Sequence, residues 1–315
     1  MKIGVISNSV GCIPLLAFLA QKTDVCFYLG RSTEHDTAGL NAFCNANGIG
    51  LFSETPKEHL YQWAEMNQPD LIFISGYNKL IETERLESVP GGVFNIHYGA
   101  LPFYRGPSPV FWALKNGEPS LTLTIHRLSA RFDSGDVVWE LTVPNQEHCT
   151  FNFVSGLFNN LQVNGVQEIV YKYINLIPLS ERRQEPGDAR YYNKPALNDV
   201  LIDWDVLSAR QVINLVKACN GWNNGATSLI NSVELKITDA EILDINPFPV
   251  TPGMIHIDDS RLLVNCADGK LLKVNTFYLN NNYIPARHAG FYGLSTGQSF
   301  AGSKIFNGHL HVERV

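Results

Sequence analysis

Short apolar runs alternate with longer amphipathic stretches along the first hundred residues. The apolar runs are rich in Val, Ile, Leu and Phe, which favour strands, and they occupy residues 3–6, 25–29, 70–75 and 93–97. The stretches between them have helical length and periodicity, at residues 14–21, 37–47 and 57–66. Strands that alternate with helices are typical of α/β domains. The pattern therefore predicts a Rossmann-like parallel sheet with helices on both faces.

A stretch rich in Gly and Pro, residues 99–109, interrupts this alternation. Neither residue type suits the interior of a helix or strand, so the stretch predicts a shaped loop. After the loop, the hydrophobic pattern predicts a helix at residues 110–116, strands at 121–128 and 137–143, and a long amphipathic helix at 151–174.

The pattern changes after a charged segment, residues 181–190, that contains Pro and Gly and lacks periodicity. One amphipathic helix is predicted at residues 208–219. Short, closely spaced strands follow, at residues 226–230, 234–242, 253–257, 261–265 and 271–279. This texture predicts a smaller, β-rich barrel domain. We therefore expect a first domain at 1–185, a linker at 186–200 and a second domain at 201–315.

Composition and charge narrow the classes of function. The 315 residues suit two domains of about 150 each. The balance of 24 Lys and Arg against 30 Asp and Glu gives a net charge of −6, the wrong sign for a protein that binds nucleic acid by neutralising phosphates. The six dispersed cysteines predict reduced thiols and a cytoplasmic location. No apolar run has the length of a membrane span.

Candidate chemistry lies around the end of the strand at residues 93–97. The chain lacks the glycine-rich, serine-hydrolase and zinc-protease motifs that would indicate other reactions. Asn95 and His97 are two positions apart on this strand, so both side chains point to the same side of the sheet. An imidazole can accept a proton, a carboxamide can donate to an oxyanion, and Asp133 folding back onto His97 would orient the ring. Acyl transfer to an amine requires these three roles.

Several linked motifs resemble the catalytic core of the folate-dependent formyltransferases. They are an Asn-x-His at residues 95–97, an LPxxRG loop at 101–106, a helix ending in Asn-Gly-Glu at 116–118 and an Asp-x-Gly at 133–135. Further on, Ile202-Asp203-Trp204 and Trp222 resemble the OB-like C-terminal domain of methionyl-tRNA formyltransferase and of a module that formylates a nucleotide-linked aminopentose. The resemblance covers nearly the whole chain.

The resemblance implies an N-formyltransferase with 10-formyltetrahydrofolate as co-substrate and no metal. It assigns Asn95, His97 and Asp133 as the catalytic residues. The residues expected to bind the folate are Ser75, Gly76, Tyr77, Asn78, Leu80, Asp136 and Val138. Those expected on the acceptor side are Gly99, Tyr104, Arg105 and His126. For Arg105, a structural role in which it bonds carbonyl groups of the loop is favoured over contact with an anionic group. For His126, a place in the core and a place facing the acceptor are equally consistent with the sequence.

Two departures from the family pattern bear on the acceptor. Gly99 and Ala100 replace the usual Ser-Leu before Leu101-Pro102, which removes bulk beside His97 and widens or reshapes the acceptor side. The basic insertion that tRNA-specific members carry after the second strand is absent around Arg31. We therefore expect a small amine acceptor, first of all a nucleotide-linked amino sugar.

The alternatives are a divergent methionyl-tRNA formyltransferase and a formyltransferase of a siderophore precursor or a carrier-bound amino acid. Competing hydrolysis of the donor, a folate-sensing binding module and a homodimer also stay open.

Overall fold

A computed structural model of the protein describes residues 1–55, 59–231, 233–244 and 247–302. Contacts divide these residues into two compact units. The first unit contains Met1–Pro109, Ser120–Pro144 and Val154–Lys194. The second contains Val110–Pro119, Asn145–Phe153 and the described residues from Pro195 onward. The domain boundary expected at residues 186–200 stays a prediction.

A seven-stranded sheet is the centre of the first unit. Its strands are β1 (Lys2–Ser7), β2 (Asp24–Leu29), β3 (Gly50–Ser53), β4 (Leu71–Ser75), β5 (Val93–His97), β6 (Ser120–Arg127) and β7 (Val137–Pro144). The order across the sheet is β3-β2-β1-β4-β5-β6-β7. Because the order reverses direction between β1 and β4, the carboxyl ends of neighbouring strands leave a crevice at this switch point.

The helices of this half of the chain are α1 (Ile13–Ala20), α2 (Glu34–Asn47), α3 (His59–Asn67), α4 (Pro109–Lys115) and α5 (Phe151–Ile174). The strands β1, β2, β4 and β5 carry buried, largely apolar side chains, as expected for strands in the middle of a parallel sheet. Trp63 of α3 packs among them together with Tyr28, Ile72 and Ile74.

The second sheet belongs to the other unit and is antiparallel in every described pairing. It follows α6 (Leu197–Val200) and α7 (Ala209–Cys219) along the chain. Its strands are β8 (Ala226–Ile230), β9 (Val233–Leu243), β10 (Ile255–Asp258), β11 (Arg261–Asn265), β12 (Leu271–Leu279) and β13 (Asn282–Pro285). They have the order β10-β11-β12-β9-β8, with β13 paired to β12.

The predicted fold class is confirmed, an α/β domain followed by a smaller β-rich, OB-like domain. One detail differs, because β6 runs antiparallel to both β5 and β7 and makes the first sheet mixed. The pattern missed β3, β13 and α6, all of which have four residues. The helix expected at residues 57–66 begins at His59 in the structure, and its first two residues lie outside the described part. No helix in the described ranges is long and apolar enough to cross a membrane.

Helix α5 approaches the sheet closely because Gly165 has no side chain. A Cβ at this position would lie 2.6 Å from the Trp139 ring and 2.6 Å from Ile125 Cδ1. Gly156, on the same helix, has nothing within 4 Å of the equivalent point. The two glycines therefore share a helical backbone but differ in their surroundings.

We expect Gly165→Ala to lower the free energy of unfolding by about 1–3 kcal/mol, because overpacking outweighs the better helix propensity of alanine. The matched variant Gly156→Ala should leave the free energy of unfolding unchanged or raise it by about 0.4–1 kcal/mol. Urea denaturation followed by circular dichroism measures both. Equal effects of the two substitutions would contradict this packing.

Candidate active site

Strand register brings four polar side chains to one face of the sheet. Asn95 and His97 are two positions apart on β5. The antiparallel neighbour β6 places His126 opposite Asn95 and Thr124 opposite His97. Directly opposed residues of an antiparallel pair project to the same face. His126 therefore joins the predicted catalytic pair through strand pairing, a relation that the spacing along the chain does not reveal.

Asp133 reaches this cluster from the loop between β6 and β7. Its Oδ1 lies 3.4 Å from His97 Nδ1 and 3.5 Å from His126 Nε2, and it accepts a hydrogen bond of 3.2 Å from Asn95 Nδ2. Its Oδ2 accepts a bond of 2.8 Å from the Gly106 main-chain N–H. The structure therefore brings together Asn95, His97 and Asp133, the three residues that the family resemblance assigns as catalytic.

The charge state of Asp133 follows from these donors. Burial by itself raises the pKa of a carboxyl group, but His97, His126 and the Gly106 N–H together hold the pKa of Asp133 well below its usual range. The carboxylate therefore carries its negative charge at neutral pH. This charge is the main counterion available to His97.

His97 is 6% exposed, and both of its ring nitrogens face oxygen atoms. Its Nε2 lies 2.6 Å from the Tyr104 carbonyl oxygen and its Nδ1 faces Asp133. Burial lowers the pKa of His97 below its ordinary 6.5, while Asp133 works in the opposite direction. A neutral ring can donate to only one of the two oxygens, and an imidazolium donates to both. Because the pKa of His97 lies below 6.5, the ring is neutral at pH 7 and can accept a proton.

Asn95 and His126 orient one another. His126 Nδ1 donates to the Arg127 carbonyl oxygen at 2.8 Å, which leaves Nε2 to accept from Asn95 Nδ2 at 3.1 Å. The Asn95 amide group thus directs its two N–H bonds at Asp133 and His126. His126 is 1% exposed and both of its nitrogens are engaged. In this arrangement it is a partner of the catalytic cluster.

The loop that follows β5 packs tightly against His97. Thr124 Oγ1 donates to the Gly99 carbonyl oxygen at 2.8 Å. A Cβ at Gly99 would lie 2.5 Å from Pro109 Cβ and 2.9 Å from both His97 Nε2 and the Tyr104 carbonyl oxygen. The glycine therefore reshapes this side of the site without opening space beside His97.

Tyr104 and Arg105 lie in the same loop and are both 6% exposed. The Tyr104 ring stacks on Tyr192 with centroids 5.2 Å apart. Arg105 donates to Gln184 Oε1 from Nε and Nη2, at 3.0 and 2.7 Å, and to the Tyr191 hydroxyl from Nη1 at 2.9 Å. These contacts with other side chains are those of a structural residue, the role that the sequence favours for Arg105.

The sequence of this chain is similar to those of known formyltransferases. Residues 30–167 match the formyl transferase family and residues 196–282 match the formyl transferase C-terminal domain. A methionyl-tRNA formyltransferase of Desulforamulus reducens is 30% identical over 249 residues, which cover 77% of this chain and 77% of that protein. The chain belongs to the folate-dependent formyltransferase family.

Solved structures share the fold of this formyltransferase. An N-formyltransferase from Helicobacter canadensis, in complex with folinic acid and dTDP-3-aminofucose, aligns with a TM-score of 0.69 at 14% identity and covers 87% of this chain and 98% of its own. HypX from Aquifex aeolicus, in complex with tetrahydrofolic acid, aligns with a TM-score of 0.62 at 18% identity and covers 92% of this chain and 46% of its own. This formyltransferase therefore spans about half the length of HypX.

Family membership confirms the predicted class of enzyme, a folate-dependent N-formyltransferase, and with it a folate co-substrate. Family membership does not specify the molecule that accepts the formyl group; some members are methionyl-tRNA formyltransferases. No group of three or more His, Cys, Asp or Glu residues within the described ranges is arranged to hold a metal ion.

The segment expected to hold the folate follows β4 of this formyltransferase. Ser75 is buried, and its hydroxyl donates to Gln162 Oε1 at 2.9 Å, so its side chain is committed to the protein. Gly76 has a φ of +80°, and Leu80 is 55% exposed. Within the described part of the chain, no main-chain hydrogen bond joins residues 76–80 to other main-chain groups. Their N–H and C=O groups are therefore available to a ligand, which fits the expected binding of a pterin through the backbone.

A side-chain latch holds this segment. The Tyr77 hydroxyl and Lys79 Nζ each donate to Glu54 Oε1 at 2.9 Å, and the Arg31 main-chain N–H donates to Glu54 Oε2 at 3.1 Å. The Tyr77 ring lies against Gly30, where a Cβ would come within 2.7 Å. Asn78 lies on the exposed side of the segment.

Asp136 and Val138 lie beyond Asp133 at the start of β7. The Asp136 carbonyl oxygen accepts from the Arg127 N–H at 2.9 Å, and Val138 is 7% exposed. The structure thus places both residues beside the Asp133 loop, and within the described ranges the Asp136 carboxylate makes no side-chain hydrogen bond. Sequence reasoning missed Gln184, Glu54 and Thr124, because each is isolated in the sequence and acts through a partner distant along the chain.

Proposed function

We propose that this formyltransferase moves the formyl group of 10-formyltetrahydrofolate to the amine of a small molecule, most of all a nucleotide-linked amino sugar. The observation that carries the reaction is the partly buried cluster of Asn95, His97 and Asp133 at the end of β5. It supplies an N–H donor, a neutral base and a carboxylate in mutual contact. These are the groups that acyl transfer to an amine requires.

In the proposed reaction the neutral amine attacks the formyl carbon, and the carbonyl electrons move to oxygen. Asn95 donates an N–H to this oxyanion. The hydrogen bonds that Asn95 makes before the reaction are 3.1 and 3.2 Å long and therefore weak, so replacing one of them costs little free energy. His97 Nδ1 takes the amine proton, because Nε2 already holds a hydrogen for the Tyr104 carbonyl oxygen. Asp133 stabilises the imidazolium. When the bond to the folate nitrogen breaks, that nitrogen takes the proton, and the products are a formamide and tetrahydrofolate.

The folate is proposed to bind along residues 75–80, with its pterin against the main-chain groups of that segment. The donor set fits, because the segment offers N–H and C=O groups that no other main-chain group uses in the described part of the chain. Asp136 and Val138 are proposed to line the opposite wall. In this position the formyl group is presented to the end of β5.

The proposed acceptor is supported by the connection between β2 and α2. It covers only residues 30–33, and the helix that follows begins with Glu34 and Asp36 in its first turn. A phosphate backbone is repelled by such charges. The fold is also shared with an enzyme whose structure contains dTDP-3-aminofucose. A methionyl-tRNA acceptor is the second candidate, favoured by the sequence relatives that bear this name.

A panel of amines tests the acceptor. We expect the protein, supplied with 10-formyltetrahydrofolate, to formylate dTDP-3-aminofucose in preference to hydroxyornithine and methionyl-tRNA, with mass spectrometry as the readout. His97→Ala serves as the inactive control. Formylation of methionyl-tRNA alone would instead favour the second candidate, and formate release without any amine would favour hydrolysis of the donor.

Replacing Asn95, the proposed N–H donor, or His97, the proposed base, should abolish most of the formyltransferase activity. We expect Asn95→Ala and His97→Ala each to lower kcat by about 10²- to 10³-fold, because loss of one transition-state donor typically has this effect. Release of tetrahydrofolate in the presence of the acceptor measures the rate. The exposed residues Asn160 and His35 provide matched controls, and Asn160→Ala and His35→Ala should keep wild-type rates. Wild-type turnover in either active-site variant would rule out the mechanism.

The pH dependence follows from the lowered pKa of His97. The base works only when it is neutral, so kcat/KM should be level through neutral pH and fall on acidification, with a midpoint below 6.5. Asp133→Asn removes the charge that raises the pKa of His97 and should move this midpoint to lower pH while lowering the plateau. A midpoint above 7 in the wild type would contradict the assignment of His97 as a neutral base.

A further inference from the structure

The segment after α5 runs alongside the active-site loops. Main-chain hydrogen bonds of 2.9 and 2.8 Å pair Val137 with Arg182. The main-chain N–H of Arg105 donates to the Arg190 carbonyl oxygen at 3.0 Å, and the Tyr192 N–H donates to the Arg105 carbonyl oxygen at 2.9 Å. Residues 182–192 therefore contact both the loop that carries Asp133 and the loop that follows His97, although the sequence gives this segment the features of a linker.

Gln184 is the most buried polar side chain of the segment, with 4% exposure. Its Nε2 donates to the Asp133 carbonyl oxygen at 2.9 Å and to the Gly135 carbonyl oxygen at 2.6 Å. Its Oε1 accepts twice from Arg105, at 3.0 and 2.7 Å. All four hydrogen-bonding positions of the carboxamide are thus engaged. One side chain ties the Asp133 loop to the Arg105 loop.

A second link closes the same connection. Arg105 Nη1 donates to the Tyr191 hydroxyl at 2.9 Å, and this hydroxyl donates to the Phe132 carbonyl oxygen at 3.3 Å. The main-chain carbonyl groups of residues 132, 133 and 135 therefore all accept from residues of the segment 184–191. Gly106, next to Arg105, donates its N–H to Asp133 Oδ2.

The Asp133 backbone has a left-handed conformation, with a φ of +53°. Aspartate adopts this region more often than most residues that have a Cβ, but it still does so at a cost in backbone energy. A residue in this region persists where the surroundings fix it. The direction of the Asp133 side chain depends on this backbone, so a shift of the loop moves the carboxylate away from His97.

We propose that Gln184 is a positioning residue of the active site, which holds the Asp133 loop so that the carboxylate stays against His97. The inference rests on the proposed function, because it assigns Gln184 a part in the reaction that Asp133 and His97 perform. Gln184 itself touches neither the reacting groups nor His97 in the described contacts. Its effect is transmitted by the backbone of residues 133–135.

The titration of His97 reports this geometry without turnover or an acceptor. The titratable and charged groups that face His97 are Asp133, His126 and Arg105. Among these, Asp133 has the largest electrostatic influence. Loss of its close approach therefore lowers the pKa of His97. A structural role of Gln184 confined to folding would leave this titration unchanged in the folded protein.

The experiment is an NMR titration of ¹⁵N- and ¹³C-labelled histidine rings in the full chain, with the His97 signals assigned from a His97→Gln variant. Asp133→Asn should lower the pKa of His97 by about one unit or more. Gln184→Leu should lower it in the same direction. Tyr191→Phe removes the hydroxyl that joins Arg105 Nη1 to the Phe132 carbonyl oxygen and leaves the bonds of Gln184 in place. Because Tyr191 is exposed, we expect this variant to fold and to cause a smaller shift of the same sign. Gln167→Leu, an exposed glutamine on α5, is the matched control and should leave the titration unchanged.

The outcomes separate this inference from the proposed function. If Asp133→Asn shifts the His97 titration but Gln184→Leu and Tyr191→Phe leave it at the wild-type position, the inference is overturned and the proposed reaction stands. If Gln184→Leu does not fold, the Tyr191→Phe titration decides between the two results. If Asp133→Asn itself leaves the titration unchanged, the contact between Asp133 and His97 is absent and both ideas are overturned.

Discussion

A buried carboxylate organises the active site of this formyltransferase. A charge taken out of water is tolerated only where donors replace the lost hydration. Asp133 accepts hydrogen bonds from Asn95 and the Gly106 N–H and lies beside the rings of His97 and His126, and these partners come from different parts of the chain. The positions of β5, β6 and the loop after His97 are thereby linked to a single anion. This requirement accounts for the low pKa of Asp133 and for the orientation of the Asn95 carboxamide.

The chemistry of the site follows from the opposing influences on His97. Burial favours the neutral ring, and the carboxylate favours the charged one. A base that rests neutral and gains a nearby counterion on protonation is suited to a reaction in which charge develops and disappears within one turnover. The Tyr104 carbonyl oxygen fixes which ring nitrogen holds the resting hydrogen. In the proposed reaction, the proton is therefore transferred through His97 Nδ1.

Much of this arrangement could be predicted from the sequence, for identifiable reasons. Alternation along one strand was sufficient to place Asn95 and His97 on one face, and the spacing of the motifs indicated Asp133. The role of His126 depended on whether β6 runs parallel or antiparallel to β5, which the hydrophobic pattern does not determine. Gln184 lies 51 residues from its partner Asp133 in a charged, aperiodic segment, so no local signal marks it. Short edge strands such as β3 were missed because four residues are too few for a period to emerge.

The observations that support the binding of the folate differ in kind from those that support the acceptor. The proposed folate side rests on main-chain groups after β4 that no other main-chain group of the described residues uses, and on the hydrogen bonds of Tyr77 and Lys79 to Glu54. The proposed small-molecule acceptor rests mainly on charge and on the short β2–α2 connection. The most direct measurement of the central claim is a crystal structure of the protein with 5-formyltetrahydrofolate. The account predicts the pterin along residues 75–80 and the formyl-bearing end of the molecule beside Asn95 and His97; a folate bound away from the end of β5 would contradict it.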